Sequence, residues 1–232
     1  GQPNEDCTFQ QYLTRSSRPT APEDYSREEW QKMRSSYVRA LLTRGLGVYS
    51  ESGINPLQLG IISSTDNHAA TGGFVDEDKW LGSVFGIGDL DKAMVRKSWN
   101  PGGLVAVWAE ENTRHSLFDA LKRREVYATS GPRMQVRLQG SGNALTCDAD
   151  NYEGIPMGGS FKKLKKPPHF RIQALYDETP LQSIEIIKGE FRDGELRETT
   201  IPVWQKTKGG LHICMNWTDP DFDSKAPAFW YV

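Results

Sequence analysis

Apolar residues in the first half of the chain recur at helical spacing. A helix near residues 27–51 is predicted because its apolar side chains follow one another mostly every three or four positions. These side chains are Trp30, Met33, Tyr37, Ala40, Leu41 and Leu46. A second helix is predicted to begin at a cap formed by Asn112 or Thr113 and to end near Arg124. The residues expected on its inner face are Leu117, Phe118 and Leu121.

Two short apolar runs in the same half predict buried strands. The stretch 59–68 begins as an apolar run and ends in a polar tip, and Leu104–Val107 is a second run that follows two glycines. Helix, strand and helix therefore alternate before residue 132. This order is typical of an α/β fold, and the last part of a β/α barrel has the same pattern.

The pattern changes after residue 132. Apolar and polar residues alternate in 170–176, 183–186 and 211–217, with glycine-containing turns between them, which predicts half-buried antiparallel strands. We therefore predict two domains: 1–132 with α/β character, and 133–232 as an all-β unit resembling a β-sandwich.

Composition excludes some classes of protein. The chain has 232 residues, of which 37% are hydrophobic, and no apolar run approaches membrane length. A net charge of −2 and an isoelectric point near 6.1 provide no basic footprint for nucleic acid. The three cysteines, Cys7, Cys147 and Cys214, form no metal-binding motif. Free buried thiols are expected, because no sequence signal indicates an oxidising compartment. A Cys147–Cys214 disulfide is the alternative.

Candidate metal chemistry lies at the end of the stretch 59–68. Asp66 and His68 are two residues apart, so on an extended backbone their side chains point the same way. A carboxylate oxygen and an imidazole nitrogen suit zinc, manganese or iron, and α/β folds carry their chemistry at the carboxyl ends of strands. The alternative is that Asp66 caps the following turn and His68 is an ordinary polar residue.

The motif Ser64-Thr65-Asp66-Asn67-His68 resembles the last metal-binding motif of the PHP superfamily, the polymerase and histidinol phosphatase metal-dependent hydrolases. Four further segments resemble the closing part of one large branch of that superfamily, which is classed as a domain of unknown function. They are 108–114, 118–133, 154–159 and 217–223. The resemblance implies that residues 1–132 are the C-terminal part of a distorted PHP-type barrel, with Asp66 and His68 as metal ligands.

The sequence departs from the PHP pattern in its histidines. PHP sites take most of their ligands from upstream strands, beginning with a His-x-His pair, whereas this chain has four histidines and no such pair. Two ligands are fewer than a catalytic zinc requires. We therefore expect the chain to be a C-terminal fragment whose partner is the missing N-terminal part of the same protein, and to be inactive by itself.

Glu110, Glu111 and Arg114 follow a predicted strand and open the second helix, a placement suited to an anionic small-molecule substrate. The alternative is an acidic first turn that complements the helix dipole and pairs with Arg114.

The function expected from these features is that of a metal-dependent hydrolase, acting on a phosphoester or related bond through a metal-activated water. The alternative is a non-catalytic module, in which a β-sandwich binds a partner and the barrel remnant is structural. Neither reading calls for nucleic acid or a membrane.

Overall fold

The computed structural model describes residues 38–67, 73, 83–85, 94–96, 102–147, 153–178, 180–205 and 212–232. These residues contain two helices, α1 (Val38–Ser52) and α2 (Arg114–Arg123). The strands are β1 (Ser83–Phe85), β2 (Met94–Arg96), β3 (Leu104–Val107), β4 (Val126–Thr129), β5 (Gln135–Ser141), β6 (Ile155–Pro156), β7 (His169–Leu175), β8 (Ser183–Arg192), β9 (Glu195–Gln205), β10 (His212–Thr218) and β11 (Ala228–Tyr231). The described chain is therefore mostly β-sheet with two short helices.

The strands form four sheets, with the orders β1–β2, β3–β4, β10–β7–β5–β6 and β11–β8–β9. Every pairing with a defined register is antiparallel. Asp193 and Gly194 join β8 to β9 in a two-residue turn, and their φ angles of 55° and 80° suit a tight hairpin. The all-β character predicted for the second half is confirmed in the described residues. The described strands do not close into a barrel, so the predicted barrel portion stays a prediction.

The chain divides into two compact units, and both are discontinuous in sequence. The first contains, among described residues, 38–59, Ile184–Trp204 and Asp223–Val232. The second runs from Gly60 to Ser183 and adds Gln205–Phe222. A division at residue 132 falls inside the second unit. The two domains expected from the sequence therefore stay a prediction.

Helix α1 of the first unit overlaps the range predicted from helical spacing and ends one residue beyond it, and the beginning of that range is outside the described residues. Gly53 follows the last residue of the helix, has a φ of 73° and donates its N–H to Tyr49 O at 2.8 Å. A Cβ atom at Gly45 would overlap the side-chain oxygen of Asn55. Glycine costs the helix about 1 kcal/mol relative to alanine, but here it lets the following chain pack against the helix.

Arg39 connects α1 to two strands of the same unit. Its Nε donates to the Tyr231 hydroxyl of β11 at 3.0 Å, and its Nη1 donates to Glu198 Oε1 of β9 at 3.2 Å. One side chain therefore contacts both outer strands of the β11–β8–β9 sheet.

Strand β8 carries a row of charged side chains on three alternate residues, Lys188, Glu190 and Arg192. The first two are buried. The side chains of Lys188 and Glu190 are 4% and 6% exposed, and Lys188 Nζ lies 3.3 Å from Glu190 Oε2. This contact is an ion pair, but its angles do not meet the geometry of a hydrogen bond. Arg192 Nη1 lies 3.8 Å from Glu190 Oε1, and Arg192 Nε lies 3.4 Å from Asp223 Oδ2. The row therefore links β8 to the segment that precedes β11.

The core of the second unit lies along β7, the strand between β5 and β10. Ile172 is fully buried, and Phe170 is 4% exposed and stacks near Trp217 of β10 with ring centroids 5.7 Å apart. The strands predicted at 170–176 and 211–217 are confirmed as β7 and β10, but β7 departs from half-buried alternation because Arg171 is buried between Phe170 and Ile172. No helix occurs among the described residues between 168 and 217.

A disulfide joins Cys147 to Cys214 in the second unit, so the expectation of free thiols was wrong for this pair. Long-range packing brings the two residues together. Arg171 on β7 is 2% exposed, donates to Thr146 O at 2.9 Å, and also binds Gln139 on β5. This network holds the residue before Cys147 against the sheet whose edge strand β10 carries Cys214.

We predict that removing the disulfide destabilises the chain. The two cysteines are separated by 67 positions, and loss of a crosslink over that length costs about 4 kcal/mol in the loop-entropy description. Denaturant unfolding of a Cys147→Ser/Cys214→Ser double variant should show this loss, with Cys7→Ser as the matched control. A wild-type unfolding midpoint that does not change when the disulfide is reduced would contradict the prediction.

We also predict asymmetric effects of substitutions at the buried ion pair. Lys188→Met leaves the Glu190 carboxylate without its near cation and should cost about 3–5 kcal/mol, whereas Lys188→Met/Glu190→Leu removes both charges and should cost less. Chemical denaturation of the single and double variants measures the difference. If the double variant has a lower free energy of unfolding than Lys188→Met, the ion pair is net stabilising and the prediction is wrong.

Candidate functional site

The candidate residues of the second unit lie around β3, α2 and β4. Strands β3 and β4 pair antiparallel, with Leu104 opposite Thr129 and Val107 opposite Val126. Helix α2 connects the end of β3 to the start of β4. The pair therefore has two distinct ends, one at Leu104 and Thr129 and the other at Val107 and Val126.

The ends of α2 are those predicted. Thr113 is the N-cap and accepts a hydrogen bond from Ser116 N at 3.3 Å, and Arg124 closes the helix with a φ of 64°. The predicted inner face was wrong in part. Ala120 is fully buried, whereas Phe118 and Leu121 are 59% and 45% exposed. Ala120, which is smaller than either predicted residue, is therefore the buried residue of the helix.

The segment that carries Asp66 runs alongside this pair of strands. A Cβ atom at Gly60 would lie 3.2 Å from Val126 Cγ2, and one at Gly103 would overlap the side chain of Ser63. Gly60 is therefore level with the start of β4, and Ser63 is level with Gly103, beyond the end of β4. The segment runs in the same direction as β4, so both lead to the same end of the pair.

The buried strand predicted for this segment was wrong. Residues 59–67 are not assigned to a strand, and Leu59 and Ile62 are 49% and 58% exposed. Thr65 is buried at 5% exposure, while Asp66 is exposed and has a φ of 54°. Exposed and less exposed side chains alternate along residues 61–66, which indicates that only one side of this segment is covered. His68 lies outside the described residues, so its predicted convergence with Asp66 stays a prediction.

The turn after β4 is held by several hydrogen bonds. The Tyr127 hydroxyl donates to Met134 O at 2.8 Å and accepts from Val136 N at 3.1 Å. Arg133 N donates to Asp177 Oδ2 at 2.9 Å, and Arg133 Nη2 donates to Gly73 O at 3.3 Å. The exposed Arg133 is therefore on a fixed turn, at the end of the pair to which the Asp66 segment leads. The sequence analysis did not identify Arg133 as a site residue, although it closes one of the segments that carry the PHP resemblance.

Glu110, Glu111 and Arg114 follow the other end of β3 and are exposed. Glu111 Oε1 accepts from Thr113 Oγ1 at 3.2 Å, and Glu111 N donates to Ser116 Oγ at 3.2 Å. Both contacts belong to the beginning of α2. A four-residue strand such as β3 spans about 13 Å. Glu110, Glu111 and Arg114 follow one end of β3, and Ser63 lies beside the other end.

A cavity of about 180 Å³ opens near Trp108, at the same end as Glu110. Its lining includes Trp108, Glu125, Arg137, Gln139 and Met157. The Arg137 guanidinium lies 3.9 Å from the centroid of the Trp108 ring, in cation–π geometry. The cavity was not predicted, because its lining comes from segments far apart in sequence.

Arg124 forms a contact beside this cavity. Its guanidinium donates to Gly158 O at 2.8 and 3.1 Å. A Cβ atom at Gly158, whose φ is 82°, would overlap the backbone oxygen of Arg124. The segments 118–133 and 154–159 therefore pack directly together.

Comparison with known proteins assigns the chain to a family. The family described as "Protein of unknown function (DUF3604)" matches residues 2–205. The chain belongs to this family. No curated protein and no solved structure matches it. The DUF3604 match includes Asp66, the Glu110–Arg114 group and Arg133. Neither helix in the described part of this DUF3604 chain has the length and apolar character needed to cross a membrane.

The metal-binding potential of the described residues is limited. They contain no group of three or more His, Cys, Asp or Glu side chains able to hold a metal ion. Asp66 supplies an accessible carboxylate of a suitable type, but one carboxylate does not complete a zinc, manganese or iron site.

We predict that Tyr127→Phe destabilises the turn after β4. The substitution removes the partner of Met134 O and of Val136 N, which should cost about 1–3 kcal/mol near neutral pH. Urea unfolding measures the loss, and Tyr49→Phe, at an exposed position of α1, is the control.

The same variant should show a defined pH dependence. Burial raises the pKa of Tyr127, and the hydrogen bond from Val136 lowers it by less. A raised folded-state pKa means that the stabilisation is complete below the unfolded pKa of about 10 and is lost as the pH rises through the folded value. The stability gap between wild type and Tyr127→Phe should therefore narrow above about pH 10. A gap that widens with pH would contradict this prediction.

Proposed function

We propose that this chain contributes Asp66 and His68 to the centre of a metal-dependent hydrolase of the PHP type. The reaction would cleave a phosphoester or related bond. The observation that carries the proposal is the position of Asp66, exposed beyond a segment that runs with β4 towards one end of the β3–β4 pair. The resemblance of residues 64–68 to the last PHP metal motif supports the assignment.

The remaining ligands would come from outside this sequence, because its four histidines include no His-x-His pair. A bound zinc, manganese or iron ion would supply a water of lowered pKa and stabilise developing negative charge. Asp66 would act as one oxygen ligand. Its left-handed backbone turns the chain directly after the buried Thr65, whose Oγ1 accepts from Asn67 N at 3.3 Å.

The finer fold assignment is part of the same proposal. Residues 1–132 would be the C-terminal part of a PHP-like barrel and 133–232 a β-sandwich-like domain. Segment 60–65 runs in the same direction as β4, as neighbouring barrel segments do, although it is not a strand and the β3–β4 pair is antiparallel, unlike consecutive strands of a β/α barrel. The antiparallel sheets after residue 133 support the second part.

A non-catalytic binding module is the second candidate. One observation favours it: the cavity beside Trp108, which combines an aromatic ring with the charged side chains of Arg137 and Glu125. Its volume of about 180 Å³ is below that of typical drug-sized sites, so it would admit only a small ligand or part of a larger one.

We predict that the full-length protein encoded by the gene holds a divalent metal and hydrolyses a phosphoester, and that Asp66→Asn and His68→Ala lower both properties. Loss of a supporting group in a metal site typically costs about 10–100-fold, and loss of a ligand should cost at least as much. Elemental analysis and phosphomonoesterase and phosphodiesterase assays measure these effects.

The matched controls are Asp193→Asn and His115→Ala. Asp193 is also an exposed aspartate in a left-handed turn, with a φ of 55°, and His115 is an exposed histidine of α2. Full activity in both ligand variants would reject the assignment of Asp66 and His68. Stoichiometric tight metal in the 232-residue chain alone would reject the need for outside ligands. A full-length protein with neither metal nor hydrolysis would favour the binding module.

A further inference from the structure

We infer that Arg133 binds the anionic phosphoryl group of the substrate, at the end of the β3–β4 pair to which the Asp66 segment leads. The inference rests on the proposed hydrolase function and deepens it, because it names a substrate-binding residue and the group that the residue recognises.

The first step is the alignment of two chain segments. Leu104 pairs with Thr129, so Gly103 is level with Ser130, and Ser63 lies against Gly103. Asp66 follows Ser63 by three residues, and Arg133 follows Ser130 by three residues. Two segments that lead to the same end of the pair therefore carry a carboxylate and a guanidinium, each three residues beyond the level of Gly103.

The second step is a direct contact. Arg133 Nη2 donates to Gly73 O at 3.3 Å, and Gly73 follows Asp66 by seven residues. The guanidinium therefore contacts a described residue that follows Asp66 in the sequence. Glu110 and Arg114, by contrast, follow the opposite end of β3.

The third step is preorganisation. The backbone of Arg133 is bonded to the Asp177 carboxylate, and the Tyr127 hydroxyl holds the next residues through Met134 and Val136. Within the described part of the chain, the Arg133 guanidinium makes one hydrogen bond, to Gly73 O, and no ion pair. A guanidinium has five N–H donors, so most of them remain available to a ligand.

The other arginines of the same segment are occupied differently. Arg123 pairs with Glu125 at 2.9 Å, and Arg124 binds Gly158 O. Arg133 is therefore the arginine of this segment best placed for a ligand at the Asp66 end.

The geometry of the arginine guanidinium indicates the class of ligand. The planar guanidinium presents two parallel N–H groups that match two oxygens of a phosphoryl group, and lysine cannot reproduce this geometry. Arg133 would thus hold two non-bridging oxygens of a phosphoester.

The test uses the full-length protein with Arg133→Ala and Arg133→Lys, and Arg197→Ala as the matched control. Arg197 is an exposed arginine of β9 that contacts Asp193 and Glu195. The readouts are KM and kcat for a phosphoester, calorimetric binding of inorganic phosphate, and metal content.

We expect Arg133→Ala to weaken phosphate binding and raise KM by about 10–100-fold, since a hydrogen bond to a charged group is worth one to two decades in affinity. Arg133→Lys should recover only part of this loss, and metal content should stay at the wild-type level. Thermal unfolding checks that each variant is folded.

The outcomes separate this inference from the proposed function. Phosphate affinity and KM in Arg133→Ala equal to those in Arg197→Ala would overturn the inference, even if Asp66→Asn abolishes metal binding and activity. If the wild-type protein shows no hydrolysis but binds phosphate through Arg133, the hydrolase proposal fails and the anion site stands. If the wild-type protein does not bind phosphate, the inference is overturned.

Discussion

Close packing of residues 60–67 against the β3–β4 pair is the constraint on which the proposed centre depends. Gly103 has no side chain, so Ser63 lies directly against its backbone, and a Cβ atom there would overlap the serine. Gly60 allows a similar approach to Val126 at the other end. These contacts set both the direction and the level of the segment, and they bring Asp66 to the end of the pair where β4 terminates.

The turn that follows β4 converts this alignment into a candidate site. Tyr127 is on β4 itself, and its hydroxyl bonds to the backbone on the far side of the turn, so the strand and the turn form one rigid element. Asp177, after β7, holds the backbone of Arg133 from a second direction. The backbone that carries this exposed cation is therefore already fixed, so binding an anion would order only the Arg133 side chain. The same polar contacts thus serve both the stability of the second unit and the proposed recognition.

The sequence by itself determined the features that depend on near neighbours along the chain. The ends of α2 follow from Thr113 and Arg124, because a cap needs only a side chain or a backbone conformation within one turn. The strands β7 and β10 follow from alternation, because side chains of an extended chain point to opposite faces. The segments that carry the PHP resemblance also lie within the DUF3604 match, except the one at 217–223.

Only the tertiary structure decided which distant residues meet. The Cys147–Cys214 disulfide joins positions separated by 67, and local pattern carries no information about such a pairing. Ala120 is the buried residue of α2 while Phe118 and Leu121 are exposed, and amphipathic spacing alone did not specify this choice. Arg133 became a candidate because strand register, rather than sequence distance, determines which segments lead to the same end of a strand pair. Local physics therefore defined the elements, and long-range packing defined the candidate site.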